Sequence, residues 1–406
     1  MNQPTYPTAT ALQTHTEHTT RDQHLATSRR YDLDWLRVLA FGVLIYFHAA
    51  VAFLPSGIPM TINAEASKPL TVAVVFFHQF RLALLFFVSG CGVYFALRSR
   101  DPRAFFIERS QKLLIPLGFG IVALVPLMVY LEKLYIGESF HSFSHFYSQY
   151  FTEGTYPKGN LSWHHFWFLA YLYLFCLLAW PLLKRLRGEK GNKLVASGIQ
   201  RHKLLGAGIY RFILPLLLVE IFLRPLFPGF RDLIHDWASF FHWFLIFLAG
   251  YVFALDRRLL QAARQLRRHS LCGALLATGI LFWHFWVPEQ HGLYPFPNGE
   301  IDVFRYLVFC AVRISNVWLW ILVCVGYAAR YLNQPANILT ALNRAVYPVF
   351  CLHLPVLVVL QYFILPLDLS VTLKFLLISN AAVLILAVLY TALHPFKFLH
   401  PLIGMR

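Results

Sequence analysis

Two side chains able to bind an anion and to move a proton lie eleven positions apart in one apolar stretch. Arg37 stands near the start of YDLDWLRVLAFGVLIYFHAAVAF, and His48 stands in its second half. Eleven residues at about 100° each return to nearly the same helix face, about 16 Å further along. A guanidinium pairs with phosphate or carboxylate groups, and a neutral imidazole accepts a proton from a hydroxyl group. The spacing therefore predicts an anion site and a general base at two depths of one helix.

Other apolar stretches carry cationic or imidazole side chains at a depth similar to that of His48. His78 and Arg81 lie in the second stretch, and Arg313 lies in the eighth. An arginine near the centre of a bilayer costs about 2.5–3.5 kcal/mol on insertion scales, so each one needs a reason. Such groups can simply bind one another or backbone carbonyls between helices. The clearest acid in an apolar stretch, Glu220, falls near the outer end of the fifth stretch and not at the depth of these cations. The cations together therefore favour a polar cavity that binds an anionic ligand.

The elements that must position these side chains are membrane helices. Of the 406 residues, 58% are hydrophobic and 13% are charged, whereas a soluble protein has about 25% charged residues. Apolar stretches of about 20 residues recur along the chain, which predicts an all-α fold, a polytopic membrane bundle of about ten transmembrane helices. The polar residues 1–28 predict a disordered cytoplasmic tail, and residues 29–406 the membrane domain. The helices are predicted near 35–54, 70–97, 113–135, 163–183, 204–223, 237–255, 270–287, 303–328, 347–365 and 373–393.

The net charge of +16 lies mainly in the loops between these stretches. The tails and loops on one side contain 24 Lys and Arg residues, and the loops on the other side contain 4. This asymmetry predicts that both termini are cytoplasmic, and it explains the basic charge without a nucleic-acid partner. The six cysteines fall in apolar stretches without C-x-x-C spacing, which favours buried packing over a metal site or a disulfide bond.

The sequence resembles the membrane acyltransferase 3 family in five stretches that occur in the family's order. Arg37, ten further residues and then His48 match the family's first helix. The other four are LLFFVSGCGVYFAL (84–97), with an F-x-S-G element, the basic loop FFIERSQKLLIP (105–116), the helix HHFWFLAYLYLF (164–175), and YPVFCLHLPVL (347–357), in which a tyrosine precedes a histidine. The opening RYDLDWLR and the lack of a fused soluble domain are most similar to the branch around glucan biosynthesis protein C, which adds succinyl groups to periplasmic glucans.

The resemblance implies an enzyme of the bacterial inner membrane that moves an acetyl or succinyl group from cytoplasmic acyl-CoA to a hydroxyl group of an extracytoplasmic glycan or other envelope acceptor. No cofactor is expected, because acyl-CoA is a co-substrate. Arg37, Arg109 and Lys112 are expected to bind the donor's phosphates. Lys112 replaces an arginine of many members, and it keeps the charge without the bidentate geometry. His48 is expected to act as the general base or to take the acyl group itself.

Other candidate residues follow from their depth in the predicted helices. Arg81, His78 and Arg313 are expected to contact the developing oxyanion or the carboxylate of a succinyl group. His353 lies about 9 Å into the ninth helix from the cytoplasmic side. It either lines the donor channel or only bonds a backbone carbonyl.

The acceptor side has two open interpretations. His165 and Trp167 either contact the acceptor or, with the neighbouring His164, belong to an aromatic belt at the interface. A rival function is a transporter of an anion or a saccharide, for which arginines at the midplane are suited. The sequence lacks the repeated pair of Gly/Pro-broken helices that is typical of transport sites. The expected partners are therefore acyl-CoA, a hydroxyl acceptor and the lipid bilayer.

Overall fold

The computed structural model describes residues 29–55, 63–98, 101–186, 188–229, 231–286 and 302–405. Within these ranges the chain is helical and has no β-strand, apart from one isolated bridge between Thr155 and Leu161. The predicted all-α class is therefore confirmed. The predicted disordered tail, residues 1–28, lies outside the described residues.

The helices are numbered here in chain order over the described residues. They are α1 (Tyr31–Val51), α2 (Lys68–His78), α3 (Arg81–Arg98), α4 (Pro102–Phe119), α5 (Val125–Tyr135), α6 (Phe143–Gln149), α7 (Trp167–Leu186), α8 (Glu189–Arg201), α9 (Ile213–Leu223), α10 (Trp237–Leu255), α11 (Arg257–Trp286), α12 (Val303–Tyr331), α13 (Asn337–Ile364), α14 (Val371–Leu393) and α15 (His400–Ile403). A π-helical turn, Gly120–Leu124, joins α4 to α5. The 3-10 turns His164–Phe166 and Gly206–Phe212 precede α7 and α9.

Nine helical segments of the described chain are long and apolar enough to cross a membrane. They are Tyr31–Val51, Lys68–Arg98, Pro102–Tyr135, His164–Leu186, Gly206–Leu223, Trp237–Leu255, Val303–Tyr331, Asn337–Ile364 and Val371–Leu393. The span predicted near 270–287 falls on α11, whose first half carries five arginines, and residue 287 lies outside the described residues. The chain is thus a multi-span membrane protein, whereas ten spans and cytoplasmic termini stay predictions. We call the side at which α1 begins the N-side and the opposite side the far side.

Two glycines bring α3 and α10 into close contact. A Cβ atom at Gly90 would lie 1.9 Å from the carbonyl oxygen of Phe247, and one at Gly250 would lie 2.0 Å from that of Phe87. Small residues allow membrane helices to approach this closely, and the resulting van der Waals contact stabilises their association. The contact fixes the position of α3, whose first residue is Arg81.

A proline in α13 connects this helix to the segment before α7. Proline has no N–H group for the carbonyl four residues earlier, and within a membrane a neighbouring side chain has to satisfy that carbonyl. Pro355 leaves the carbonyl of Cys351 without its helical donor, and His165 Nε2 donates to it at 3.2 Å. The far-side segment around His165 therefore reaches into the bundle to the level of Cys351.

Pro116 has the same effect in α4. It leaves the carbonyl of Lys112 without its helical donor, and the hydroxyl of Tyr347 in α13 donates to this carbonyl at 2.5 Å. Gly404, with a φ of 69°, follows α15, and a Cβ atom there would lie 1.8 Å from the Tyr347 ring. Tyr347 thus joins α4, α13 and the C-terminal turn near the N-side.

Candidate active site

A cavity of about 370 Å³ lies between α1, α3, α13 and the segment that precedes α7. Apolar side chains such as Leu44, Leu85 and Phe350 form part of its wall. The polar and ionisable side chains in the wall include His48, His78, Arg81, Tyr156, Ser162, His164, His165, Arg231 and His353. A mostly apolar cavity with a few convergent polar groups is typical of a small-molecule site.

His48 and His353 form a hydrogen-bonded pair in this cavity. His48 Nδ1 lies 3.0 Å from His353 Nε2, and His353 Nδ1 lies 2.7 Å from the carbonyl oxygen of Phe350. Because a carbonyl only accepts hydrogen bonds, His353 Nδ1 carries a proton, and Nε2 of the neutral ring accepts from His48 Nδ1. Nε2 of a neutral His48 is then unprotonated. His353 therefore orients His48 and fixes the tautomer that a general base requires.

His165 packs edge-on against His353. The two ring centroids lie 5.0 Å apart, and the rings are inclined by 78°. Nε2 of His165 donates to the carbonyl of Cys351, so this nitrogen carries the proton. Nδ1 of His165 is buried and has no hydrogen-bond partner among the described residues. His165 Nδ1 is therefore a hydrogen-bond acceptor in the cavity wall that has no donor among the described residues, and it lies beside the pair of His48 and His353.

Arg81 brings a positive charge to the same cavity. The residue is 5% exposed, and its guanidinium carbon lies 3.5 Å from the centroid of the Phe47 ring. The ring of His78 stacks on Phe47 at a centroid distance of 6.1 Å. In the part of the chain that the structure describes, Arg81 Nε is buried without a hydrogen-bond partner, and no carboxylate forms an ion pair with this side chain. A buried cation in such surroundings favours an anionic ligand.

Arg231, in the far-side loop between α9 and α10, is a second cation of the cavity and was not predicted from the sequence. Its guanidinium carbon lies 4.9 Å from the centroid of the Trp167 ring, and its backbone N–H donates to Asp236 at 2.7 Å. Burial lowers the pKa of Arg231 to about 10, so the side chain stays charged at neutral pH. Trp167, predicted on the acceptor side, lines the same cavity.

The predicted donor-binding residues lie near one face of α13 towards the N-side, apart from the cavity lining. Arg37 Nη1 donates to Asn343 at 3.4 Å. Arg109 lies about one turn before Lys112 in α4, the helix that Tyr347 of α13 contacts. The backbone of Lys112 accepts from the same tyrosine. Asn343 and Tyr347 are one helical turn apart, so the three basic residues gather around one region of α13.

Two of the predicted anion-binding cations are paired with carboxylates. Arg313 forms an ion pair with Glu220, which is 1% exposed and also accepts from Arg224 at 3.2 Å. Arg313 is not one of the described residues that line the cavity. Lys112 forms an ion pair with Glu108 one turn earlier. The acyl contact assigned to Arg313 and the phosphate contact assigned to Lys112 stay predictions, and the geometry lends them no support.

The chemistry available in the cavity is that of imidazole, guanidinium and hydroxyl groups. Over the described ranges, no group of three or more His, Cys, Asp or Glu side chains is arranged to hold a metal ion. The six cysteines are free thiols. The arrangement is suited to proton transfer and to binding anions.

Part of the far-side loop 136–162 folds onto the bundle and contributes to the cavity wall. Phe146 and Tyr150 are fully buried, and Tyr156 and Ser162 line the cavity. These four residues were not individually predicted from the sequence. The available signal was the spacing of Phe146 and Tyr150, four positions apart, which is typical of a helix with one buried face.

The model of one protein family matches most of this chain. The model of the acyltransferase domain of the acyltransferase 3 family matches residues 30–393. No curated protein and no solved structure shows a significant match. The matched range contains the cavity, the histidine pair and the basic residues near the N-side.

Proposed function

The chain belongs to the acyltransferase 3 family, and we propose that this acyltransferase moves an acyl group from acyl-CoA on the N-side to a hydroxyl acceptor on the far side. The N-side would face the cytoplasm of a bacterial cell, and the acceptor would be a glycan or another component of the envelope. The excess of Lys and Arg in the N-side loops supports this orientation.

The observation that carries the proposal is the hydrogen-bond chain from His48 through His353 to the carbonyl of Phe350. Nε2 of His48 would take the proton of the acceptor hydroxyl while the acceptor oxygen attacks the acyl carbonyl. The carbon–sulfur bond then breaks, and the proton passes from His48 to the coenzyme A sulfur. The imidazole returns to its neutral form, so the transfer consumes no proton and needs no cofactor.

The N-side basic residues support the direction from which the donor would arrive. Arg37 and Arg109 would hold the phosphate groups of coenzyme A where both lie close to α13. Arg37 precedes His48 by about 16 Å of helix, and Asn343 precedes His353 by about 15 Å. Both helices thus run from the charged region to the cavity. The thioester end of the donor would extend along them, and the acceptor would approach from the far side.

Arg81 supports succinyl as the transferred group. A succinyl group ends in a carboxylate, which can pair with this buried guanidinium. With an acetyl group, Arg81 would stabilise only the negative charge that develops on the carbonyl oxygen. The similarity of RYDLDWLR to the glucan biosynthesis protein C branch also supports succinyl transfer to a glucan.

Acyl transfer by the purified protein in detergent tests this function. Succinyl-CoA or acetyl-CoA is mixed with a glucan, and released thiol is measured together with the mass gained by the glucan. We expect thiol release that depends on the glucan and equals the acyl gain, with succinyl-CoA the better donor. The variant His145→Ala, on an exposed position of α6, should behave as the wild type. Absence of thiol release and of glucan acylation with both donors would contradict the proposal.

A further inference from the structure

A second group of chemically active side chains lies at the far-side end of the cavity. His164 Nε2 lies 3.1 Å from Glu132 Oε2, and His164 Nδ1 lies 2.7 Å from Ser162 Oγ. The side chains of His164 and Glu132 are only 6% and 4% exposed. The transfer described above uses none of these three residues.

The hydrogen bonds of this group show how it can move a proton. A carboxylate only accepts, so His164 Nε2 carries the proton, and Nδ1 of the neutral ring accepts from the Ser162 hydroxyl. A serine, an imidazole and a carboxylate bonded in this order activate the serine as a nucleophile in enzymes of unrelated folds. The backbone N–H of His164 also donates to Ser162 Oγ at 3.1 Å. That contact would stabilise negative charge on the attacking oxygen.

Neighbouring residues hold this serine and histidine in place. The buried Tyr150 hydroxyl donates to the Ser162 carbonyl at 2.9 Å and accepts from the Ser162 N–H at 3.2 Å. Burial raises the pKa of Tyr150 to about 12, so its hydroxyl keeps the donated proton at neutral pH. His164 has a φ of 41°. Residues other than glycine rarely adopt this left-handed conformation, and the exceptions cluster at functional sites.

A purely structural role accounts for only part of this geometry. Ser162 Oγ satisfies the backbone N–H of His164 where the turn His164–Phe166 begins, as capping residues do. Such a role requires neither the contact between the serine and the imidazole nor a buried carboxylate behind it. Burial of Glu132 is unfavourable in this environment unless its contacts offset the loss of water. Tyr156 supplies one further hydrogen bond to Glu132.

The serine group and His48 share one cavity. Ser162, His164 and His48 all line the same cavity. His165, the residue after His164, packs against His353 at a centroid distance of 5.0 Å, and His353 bonds His48. An acyl group held on Ser162 would therefore lie in the cavity that contains the general base.

We propose that Ser162 is a catalytic nucleophile, which carries the acyl group as an ester between coenzyme A and the acceptor. This inference rests on the acyltransferase function proposed above. In the first step, Ser162 Oγ bonds to the acyl carbon and its proton moves to His164 Nδ1. The carbon–sulfur bond breaks, and the proton passes on to the coenzyme A sulfur.

In the second step, His48 Nε2 takes the proton of the acceptor hydroxyl, and the acceptor oxygen bonds to the acyl carbon. The bond between the acyl carbon and Ser162 Oγ breaks, and the proton returns to this oxygen. Neither step needs an oxidant, a reductant or a further reactant. His48 keeps the role described above, and only the group that leaves the acyl carbon differs.

The test uses the variant His48→Gln, in which the second step is blocked while the first is not. Glutamine keeps an N–H donor towards His353 but does not take up a proton. The purified full-length variant is mixed with succinyl-CoA or acetyl-CoA, quenched in acid and analysed by peptide mass spectrometry. We expect one acyl group per protein on the peptide that contains Ser162, with one equivalent of thiol released in a single burst.

Matched variants in the His48→Gln background identify the labelled atom. Ser162→Ala should lose the label, and Ser162→Cys should carry it as a thioester that neutral hydroxylamine releases faster than the ester. Ser148→Ala should keep the label, because this serine is exposed and bonds a backbone carbonyl of its own helix. Thermal unfolding in detergent shows whether each variant is folded.

Two results would overturn the serine intermediate alone. One is a folded His48→Gln protein without an acyl group on Ser162, while the wild type acylates glucan. The other is a label on this peptide that persists in Ser162→Ala. Both leave the acyltransferase function intact. If the wild type releases no thiol from either donor, the proposed function fails, and the serine intermediate fails with it.

Discussion

The proposed proton transfer at His48 depends on which of its two ring nitrogens carries the proton. His353 decides this, because its Nε2 accepts from His48 Nδ1 while its own Nδ1 donates to a carbonyl. Sequence analysis left two roles open for His353, a place in the channel wall or a hydrogen bond to a backbone carbonyl. In the structure, His353 lines the cavity, bonds the carbonyl of Phe350 and also bonds His48; a place in a donor channel stays a prediction. Without this acceptor, the proton could move to Nε2 of His48 and remove the base.

His353→Phe is expected to lower kcat for acyl transfer by about 100-fold or more, because misorientation of a catalytic imidazole has costs of this order. KM for the donor should stay nearly constant, since the proposed phosphate site lies near the N-side, apart from His353. His353→Gln, whose amide oxygen accepts the same hydrogen bond, should retain more activity than His353→Phe. Steady-state kinetics of both folded variants check this order. Equal activity in the two variants would contradict the orienting role.

Arg81 is expected to decide the choice of acyl group. Removing one partner of a buried charge pair costs about 2–5 kcal/mol, which corresponds to roughly 30-fold or more in kcat/KM. Arg81→Met should therefore lower kcat/KM for succinyl-CoA at least about 30-fold more than for acetyl-CoA. Arg224→Met, which removes a cation bound to Glu220, is the control for a general loss of charge. An equal fall with both donors after Arg81→Met would limit Arg81 to the oxyanion.

At the scale of helices, prolines determine where the elements of the site meet. Pro355 frees the carbonyl that binds His165, and Pro116 frees the carbonyl that binds Tyr347. The first contact brings the segment before α7 to the histidine pair. The second joins α4 and α13 beside the basic residues near the N-side. In each case the proline frees a backbone carbonyl, and this carbonyl accepts a hydrogen bond from a side chain of another element.

A double-mutant cycle tests the contact at Pro355. His165→Phe leaves the carbonyl of Cys351 unsatisfied and is expected to lower the free energy of unfolding by about 1 kcal/mol. In Pro355→Ala the new N–H group satisfies this carbonyl, so the same His165 change should cost much less. The expected coupling is about 0.5–1 kcal/mol, measured by unfolding in detergent. Pro348→Ala, in the same helix, is the control and should show no coupling with His165.

The helices could be predicted from the sequence more completely than the site. Apolar length and periodicity predicted the nine candidate spans of the described chain, because a membrane helix must be long and apolar whatever its neighbours are. The partners of polar residues could not be predicted in this way. Arg313 was assigned to the acyl group, but it pairs with Glu220, which lies 93 residues earlier. His48 and His353 are 305 residues apart, and only the folded bundle brings them together.

At the scale of the whole molecule, the structure has a charged region near the N-side and a polar cavity deeper in the bundle. α1 and α13 connect the two, since each carries one residue of the charged region and one histidine of the cavity. The far-side segment from Tyr156 to His165 forms another part of the cavity wall. Hydropathy alone predicts this segment to be a surface loop, because its residues are polar. Its buried position depends on tertiary contacts such as that between His165 and Cys351.

Transfer across a sealed membrane tests the central claim most directly. Proteoliposomes hold glucan inside, and labelled succinyl-CoA is added outside, where only molecules with an outward N-side meet the donor. We expect the wild type to label the enclosed glucan and the His48→Gln protein to leave it unlabelled. Glucan added outside instead should stay unlabelled in both cases. Labelling of external glucan, or equal labelling of enclosed glucan by the two proteins, would contradict transfer from the N-side to the far side with His48 as the base.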